Sequence, residues 1–311
     1  METKDMTLGW IGAGRMGIQL ATRLIHAGYD LAVFNRTKEK LQPLVDIGAK
    51  AVNSPAELAD RNVVFSMVSA SKDLKQVMLG DGGLLTASAS PQIIVDSSTV
   101  STEASAQIRA AASEKGSDFL AAPVSGNPAV IAAGKLTVAV SGPKSVYEVA
   151  LPLLEVFGRG VTYVGEGEVA RLVKIAHNVF LGVVTQSLSE ITVLAEKGGV
   201  SREAFLNFLN DSVMGSVFTQ YKSPAFVNLD FTPTFTMPLL LKDFDLGLSA
   251  SSDLGVPMPI ASATRQIVAQ EAGRGNVEED FATLLLAVAN GAGMRLESEN
   301  SAISDGLESD S

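Results

Sequence analysis

The sequence predicts an α/β protein of two domains: an N-terminal parallel sheet wound with helices, then an all-helical domain built on one long interdomain helix. Three observations predict it. Short apolar runs alternate with helical segments over the first half of the chain. Strand-like runs stop near Gly167. A helical stretch, Val169 to Lys197, follows, and at ~1.5 Å per residue it would extend ~44 Å. The expected divisions are residues 1–166 for the α/β domain, 167–296 for the helical domain and 297–311 for a tail.

Leu8 to Ile11 reads as a short apolar strand running into Gly12-Ala13-Gly14-Arg15-Met16-Gly17, which opens a helix ending near Gly28. This G-x-G-x-x-G stands where a dinucleotide needs it. Gly12 permits the tight turn, Gly14 leaves room for a pyrophosphate, Gly17 lets helix and strand approach, and the helix N-terminus offers N–H groups and positive dipole to phosphate. A second strand, Leu31 to Phe34, ends at Asn35-Arg36-Thr37, the place where a carboxylate would bond the ribose 2′-hydroxyl of NAD. Asn35 is neutral, Arg36 offers a charged fork to a 2′-phosphate and Thr37 a hydroxyl, so NADP(H) is expected in preference to NAD(H).

Further strands are expected at Val63 to Val68, Ile93 to Val95, Phe119 to Val124, Leu136 to Val140 and Val161 to Val164, with Ser54-Pro55-Ala56-Glu57 opening a helix between two of them. Such alternation implies parallel strands joined by crossover helices, with ligands beyond the carboxyl ends of the strands. Met67-Val68-Ser69, Asp96 to Thr99 and Pro123 to Asn127 are therefore expected to converge with the glycine turn on one crevice.

In the second half, Val179 to Val184 is apolar around most of the helix circumference, which suggests burial against the first domain or a partner subunit. Helices are expected at Arg202 to Leu209, Leu239 to Ser252, Ile260 to Glu271 and Asp280 to Asn290, with Pro257 and Pro259 breaking the chain between two of them. On the long helix Arg171, Lys174 and Asn178 fall at i, i+3 and i+7 and share a face, with His177 beside them. Spacing alone leaves that face open to solvent or to a site.

Composition removes other classes. The 311 residues contain no cysteine and two histidines, so a disulfide framework, a thiolate or histidine-rich metal site and a cysteine nucleophile are excluded, and no metal is expected. A net charge of −10 does not suit a phosphate backbone, so nucleic acid is not an expected partner. No run of ~18 consecutive apolar residues is present and the N-terminus does not read as a signal peptide, so a cytoplasmic protein without a membrane partner is expected. Glu297, Glu299, Asp305, Glu308 and Asp310, without a basic residue among them, read as an acidic disordered tail.

Taken together, these residues resemble the β-hydroxyacid dehydrogenases, which include 3-hydroxyisobutyrate dehydrogenase and the glyoxylate/succinic semialdehyde reductases. The likeness covers roughly residues 8–290: Gly9 to Gly17 is similar to the family's cofactor motif, Phe119 to Gly126 to its substrate motif, Lys174 with Asn178 to its catalytic helix, and Lys242-Asp243 to its later Lys-Asp motif. The resemblance implies a Rossmann domain, an all-helical second domain, and NAD(P)-dependent hydride transfer to or from a small hydroxy acid, semialdehyde or keto acid carrying a carboxylate; Arg36 directs that expectation to NADP(H), and the apolar middle of the long helix to a homodimer or homotetramer. The resemblance implies Lys174 as general acid and base, with Ser125, Gly126, Asn127, Asn178 and Thr99 around the substrate. The cofactor would be held by Gly12, Ala13, Gly14, Arg15, Met16, Gly17, Asn35, Arg36, Thr37, Met67, Val68, Ser69, Thr99 and Lys242.

A lysine works best as an acid with its pKa drawn toward neutral, and Arg171, one turn earlier, is expected to help. The chain departs from the family at Ala122, where Asp is common, at Asn127 and Ala170, where Gly is common, and at Thr102, where Pro is common. Asn127 is expected to add a polar side chain beside the carboxylate cradle. The string Val173 to Asn178 is also similar to 6-phosphogluconate dehydrogenase, whose extended C-terminal region this chain lacks. Two alternatives remain beside the reductase: an imine reductase of the same superfamily, disfavoured by Lys174, and an NADP(H)-binding sensor without chemistry.

Overall fold

A computed structural model describes residues 6–307. The order of elements is β1 Thr7–Ile11, α1 Arg15–His26, β2 Asp30–Phe34, α2 Gln42–Val45, β3 Lys50–Ala51, β4 Val63–Ser66, α3 Ser71–Leu79, β5 Ile93–Asp96, α4 Thr102–Glu114, β6 Asp118–Ala121, β7 Val124–Ser125, α5 Pro128–Ala132, β8 Thr137–Ser141, α6 Lys144–Glu155 and β9 Gly160–Gly165. There follow α7 Val169–Lys197, α8 Arg202–Asp211, α9 Val217–Asn228, α10 Met237–Asp253, α11 Pro259–Gly273 and α12 Leu284–Gly291.

The first unit carries a nine-stranded sheet in the order β3-β2-β1-β4-β5-β6-β8-β7, with β9 on β8. From β3 to β6 every pairing is parallel, as the alternating pattern requires. Here Trp10, Phe65 and Phe157 form one buried aromatic cluster beneath the strands, Trp10 and Phe65 stacked at 5.7 Å.

The expectation of an all-parallel sheet fails beyond β6. Pro123, with no N–H to give a ladder, splits the expected strand Phe119 to Val124 into β6 and β7, and β8 pairs antiparallel with both. The short connection through α5 returns the chain beside itself, which is an antiparallel geometry.

The chain divides into two compact units between Lys174 and Ile175, inside α7. The reason is local bonding. Ser141 Oγ accepts from the Ala170 N–H at 3.1 Å and donates to the Gly167 carbonyl at 2.8 Å, while Arg109 holds Glu168 at 2.6 Å. These bonds fasten the start of the helix to the first unit.

In the second unit α7 and α10 approach closely through glycine. A Cβ on Gly182 would lie 2.5 Å from the Phe244 ring, and one on Gly247 2.3 Å from Val179. By length and composition α7 alone among the described helices could cross a membrane, yet half of its most apolar stretch is buried within the chain, as in a core helix.

Helix α9 was not expected. It carries Pro224, which reads as a breaker, and it is buried on several faces at Thr219, Lys222, Ser223, Ala225, Phe226 and Val227, so no amphipathic period marks it. A reciprocal capping box between Ser216 and Thr219 starts it.

Residues 297–301, in the stretch expected to form an acidic disordered tail, bond to the rest of the second unit. The Glu299 carboxylate accepts from the backbone N–H groups of Arg202 and Glu203 at 2.8 and 2.9 Å, closing the N-terminus of α8. The buried guanidinium of Arg202 donates to the carbonyls of Val227 and Glu297, and Ser301 pairs through its backbone with the Asn228 amide. An acidic stretch becomes ordered because a helix terminus and an arginine meet its charge. Glu308 and Asp310 lie outside the described residues.

Candidate functional site

The glycine turn has a distinct steric reason at each position. Gly12 sits at φ +105°, and a Cβ there would stand 2.2 Å from the Met67 carbonyl. A Cβ on Gly17 would stand 2.1 Å from the Gly12 carbonyl, the same oxygen that accepts from Trp10 Nε1 at 2.8 Å. Gly14 differs: nothing lies within 4 Å of a Cβ built there, so the space above it is open. Gly14 is also the N-cap of α1, without a side-chain cap and with no acidic residue in the first turn. Its N–H groups and dipole are thus available to an anion, and the open approach fits a pyrophosphate.

A cavity of 320 Å³ opens against this turn, in the first unit. Gly12, Ala13 and Gly14 line it, as do Asn35, Arg36 and Thr37 after β2 and Met67, Val68 and Ser69 after β4. Three stretches distant in sequence therefore meet in one place. The remaining residues assigned to the cofactor, Arg15, Met16, Gly17, Thr99 and Lys242, lie outside this lining; Gly17 is packed beneath the turn and Met16 rests partly on the core.

Asn35 takes a role that its sequence position did not reveal. Its Oδ1 accepts from the Ala13 N–H at 2.9 Å and its Nδ2 donates to the Thr37 carbonyl at 2.7 Å, stapling the glycine turn to the end of β2. Arg36 is 88% exposed and reaches the Asp73 carboxylate only at 3.5 Å. Lys40, Asp73, Gln76 and Asp81 also line the cavity and were missed. Lys40 follows Thr37 by three residues, and Asp73, Gln76 and Val77 recur at i, i+3 and i+4 on α3, a signal readable once the crevice is placed.

Below the crevice lies a buried polar hub. Arg171 donates to Asp96 Oδ2 at 2.5 Å, to the Ser98 carbonyl at 2.6 Å and to Ser105 Oγ at 3.0 Å. Asp96 Oδ1 in turn accepts from Ser66 Oγ and Ser98 Oγ at 2.6 and 2.7 Å, and Ser98 Oγ accepts from the Val68 N–H at 2.9 Å. Both charges are fully buried. Arg171, expected to act on Lys174 as a neighbouring positive charge, is half of a buried ion pair with Asp96 at contact distance.

Ser125 ends β7, and Gly126 follows at φ +143°, where a Cβ would press on Val130 and Leu136. Asn127 is a helix cap: its Oδ1 accepts from the Val130 N–H at 2.9 Å and starts α5. The polar group expected to face a substrate is engaged there. Lys174 stands half-buried in the first unit, three residues beyond Arg171 on α7. In the second unit Asn178 is buried and donates to Asp243 Oδ2 at 2.5 Å, its carbonyl lies 3.0 Å from His177 Nδ1, and Lys242 Nζ lies 3.4 Å from Asp243 Oδ1.

Parallel strands 3-2-1-4-5-6 with a glycine turn opening on an uncapped helix define a dinucleotide-binding α/β domain. Comparisons carry the assignment further. Residues 7–165 match the NAD binding domain of 6-phosphogluconate dehydrogenase, and residues 165–288 match the NAD-binding region of NADP-dependent 3-hydroxyisobutyrate dehydrogenase. The chain is 32% identical to 2-(hydroxymethyl)glutarate dehydrogenase of Eubacterium barkeri, over 91% of this chain and 94% of that protein. It is 30% identical to the chloroplastic glyoxylate/succinic semialdehyde reductase 2 of Arabidopsis thaliana, over 92% and 80%. A solved structure of the Mycobacterium tuberculosis 3-hydroxyisobutyrate dehydrogenase with L-serine is 26% identical and superposes with a TM-score of 0.80, covering 91% of this chain and 99% of that one. The chain belongs to the 3-hydroxyisobutyrate dehydrogenase family, and is an NAD(P)-dependent hydroxyacid dehydrogenase.

Proposed function

We propose that the chain is an NADP(H)-preferring reductase of a small carboxylate-bearing semialdehyde or keto acid, with Lys174 as the general acid. The observation that carries this reading is the half-buried residue Lys174, one turn beyond an arginine anchored at the carboxyl ends of β4 and β5, where a doubly wound sheet binds its ligands. A nicotinamide held at the glycine turn would supply the hydride. Lys174 delivers a proton to the carbonyl oxygen as that oxygen gains charge, and takes it back from the hydroxyl in the oxidative direction. Ser125 Oγ and the Gly126 N–H are assigned to the substrate carboxylate, neutral donors that hold an anion without a buried counter-charge. Asn178 is assigned to the substrate oxygen, Thr99 to the nicotinamide side and Lys242 to the cofactor.

The test is NADPH absorbance followed against a panel of short semialdehydes and keto acids, with cyclic imines and ketone–amine pairs as controls. Turnover with the acids supports the reading; turnover with imines alone, or NADPH binding without turnover, overturns it in favour of an imine reductase or a sensor.

Arg36, Thr37 and Lys40 at the cavity rim, with neutral Asn35 in place of a carboxylate, support the NADP(H) preference. Arg36→Ala is expected to weaken NADPH by about 1–2 kcal/mol, the scale of a charge-assisted hydrogen bond near the surface, and to leave NADH unchanged. Parallel fluorescence titrations measure this, and an unchanged ratio removes Arg36 from the cofactor site.

The chain is also proposed to form a homo-oligomer through α7. Phe180 and Leu194 are 67% and 73% exposed and stand two heptads apart on one stripe, with Ile191 between them. Phe180→Asp with Leu194→Asp is expected to give a folded monomer by light scattering, with a melting temperature that no longer depends on protein concentration; an unchanged mass places the interface elsewhere.

A further inference from the structure

Helix α7 receives three independent fastenings over its first turns. Arg109 holds Glu168 and the Gly167 carbonyl, Ser141 holds the Ala170 N–H, and Arg171 reaches inward to Asp96, Ser98 and Ser105. The third differs from the others in what it touches. Asp96 is the last residue of β5, Ser98 lies in the segment leaving that strand, and the Ser98 hydroxyl receives the Val68 N–H from the loop that lines the dinucleotide cavity. One buried carboxylate thus joins the tips of β4 and β5 to the helix that carries Lys174.

Geometry turns this into a constraint on the amine. Three residues along a helix are ~4.5 Å of rise and ~300° of rotation, so fixing Arg171 in depth and azimuth fixes the Cα of Lys174 against the same strand tips. The guanidinium is suited to that work. It is planar, permanently charged and bonded through Nε, Nη1 and Nη2 to three separate partners, leaving little freedom to slide or turn.

We propose that Arg171 and Asp96 are positioning residues for the reaction. They register Lys174 and the Val68 loop on one buried ion pair, and act through placement and not through charge. The proposal rests on Lys174 as general acid. Replacing Arg171 alone leaves Asp96 buried without its partner, so a folded comparison needs the neutral double variant, Asp96→Asn with Arg171→Met, beside Arg171→Lys and Lys174→Ala.

For the double variant the expected result is a cooperative melt, an NADPH affinity weakened only a few-fold, and kcat down by about 10²-fold, the penalty of a misplaced group distant from the chemistry. The pH midpoint of kcat/KM stays where the unaltered protein has it, and Arg171→Lys recovers part of kcat. Wild-type kcat in a folded double variant overturns the proposal, as does a displacement of the pH midpoint by about one unit, which would mark Arg171 as a charge effect. Wild-type turnover by Lys174→Ala instead overturns the general-acid reading itself, which separates the two failures.

Discussion

Lys174→Ala is expected to lower the rate of NADPH-linked reduction by about 10²–10⁴-fold, the range that a positioned general acid contributes. Its NADPH affinity and melting temperature are expected to stay at their original values. Lys174→Arg restores the positive charge but cannot release a proton near neutral pH, so it is expected to stay as slow as the alanine variant, whereas added small primary amines recover part of the rate. Stopped-flow measurement of NADPH oxidation with saturating substrate checks all three. A Lys174→Arg variant as fast as the unaltered protein would show that charge alone suffices and that proton delivery comes from another group.

The second large effect separates binding from folding within one loop. Gly14 has open space where a side chain would begin and an ordinary backbone, so Gly14→Val should melt within about 1 kcal/mol of the unaltered protein. The same side chain would stand in the approach of the pyrophosphate, and NADPH affinity is expected to fall by at least about 10²-fold, the loss of roughly two charge-assisted hydrogen bonds. Gly12→Ala should behave in the opposite way. Its Cβ meets the Met67 carbonyl at 2.2 Å in a positive-φ conformation, so about 1–3 kcal/mol of stability goes together with the cofactor site. Calorimetry paired with fluorescence titration reads both. Equal losses of stability in the two variants would remove the distinction between a clearance glycine and a conformational one.

What the sequence made legible was local. The strand-turn-helix around Gly12 to Gly17 could be read because each glycine answers a need a few residues away, and α7 ran from Val169 to Lys197 as expected because its apolar composition is unbroken by proline. The effect of a proline depends on its tertiary surroundings. Pro224 lies inside α9, a helix held by burial and a capping box, while Pro123 cut one expected strand into two that pair with β8 in the reverse sense.

Side-chain duties were harder to read than backbone shape. Arg171 on a helix face reads as a surface charge or a neighbour of Lys174, yet its partner Asp96 is 75 residues away. Asn35 and Asn127 sit where ligand contacts were expected and serve the backbone, bonding Ala13 and Val130. Short polar side chains compete for nearby N–H groups, and the sequence does not say which will win.

The bonds from Glu297 and Glu299 to Arg202 bear on where this protein can be shortened. The matched family region stops at residue 288, and a polypeptide trimmed there would keep all twelve named helices except the last few residues of one. It would nevertheless strip the Arg202 guanidinium of a carbonyl acceptor and uncover the first turn of α8, because the residues that satisfy both come after the cut. The outer limit of the folding unit is therefore set by a strap of acidic chain that conveys no recognisable motif, and expression boundaries belong beyond Ser301.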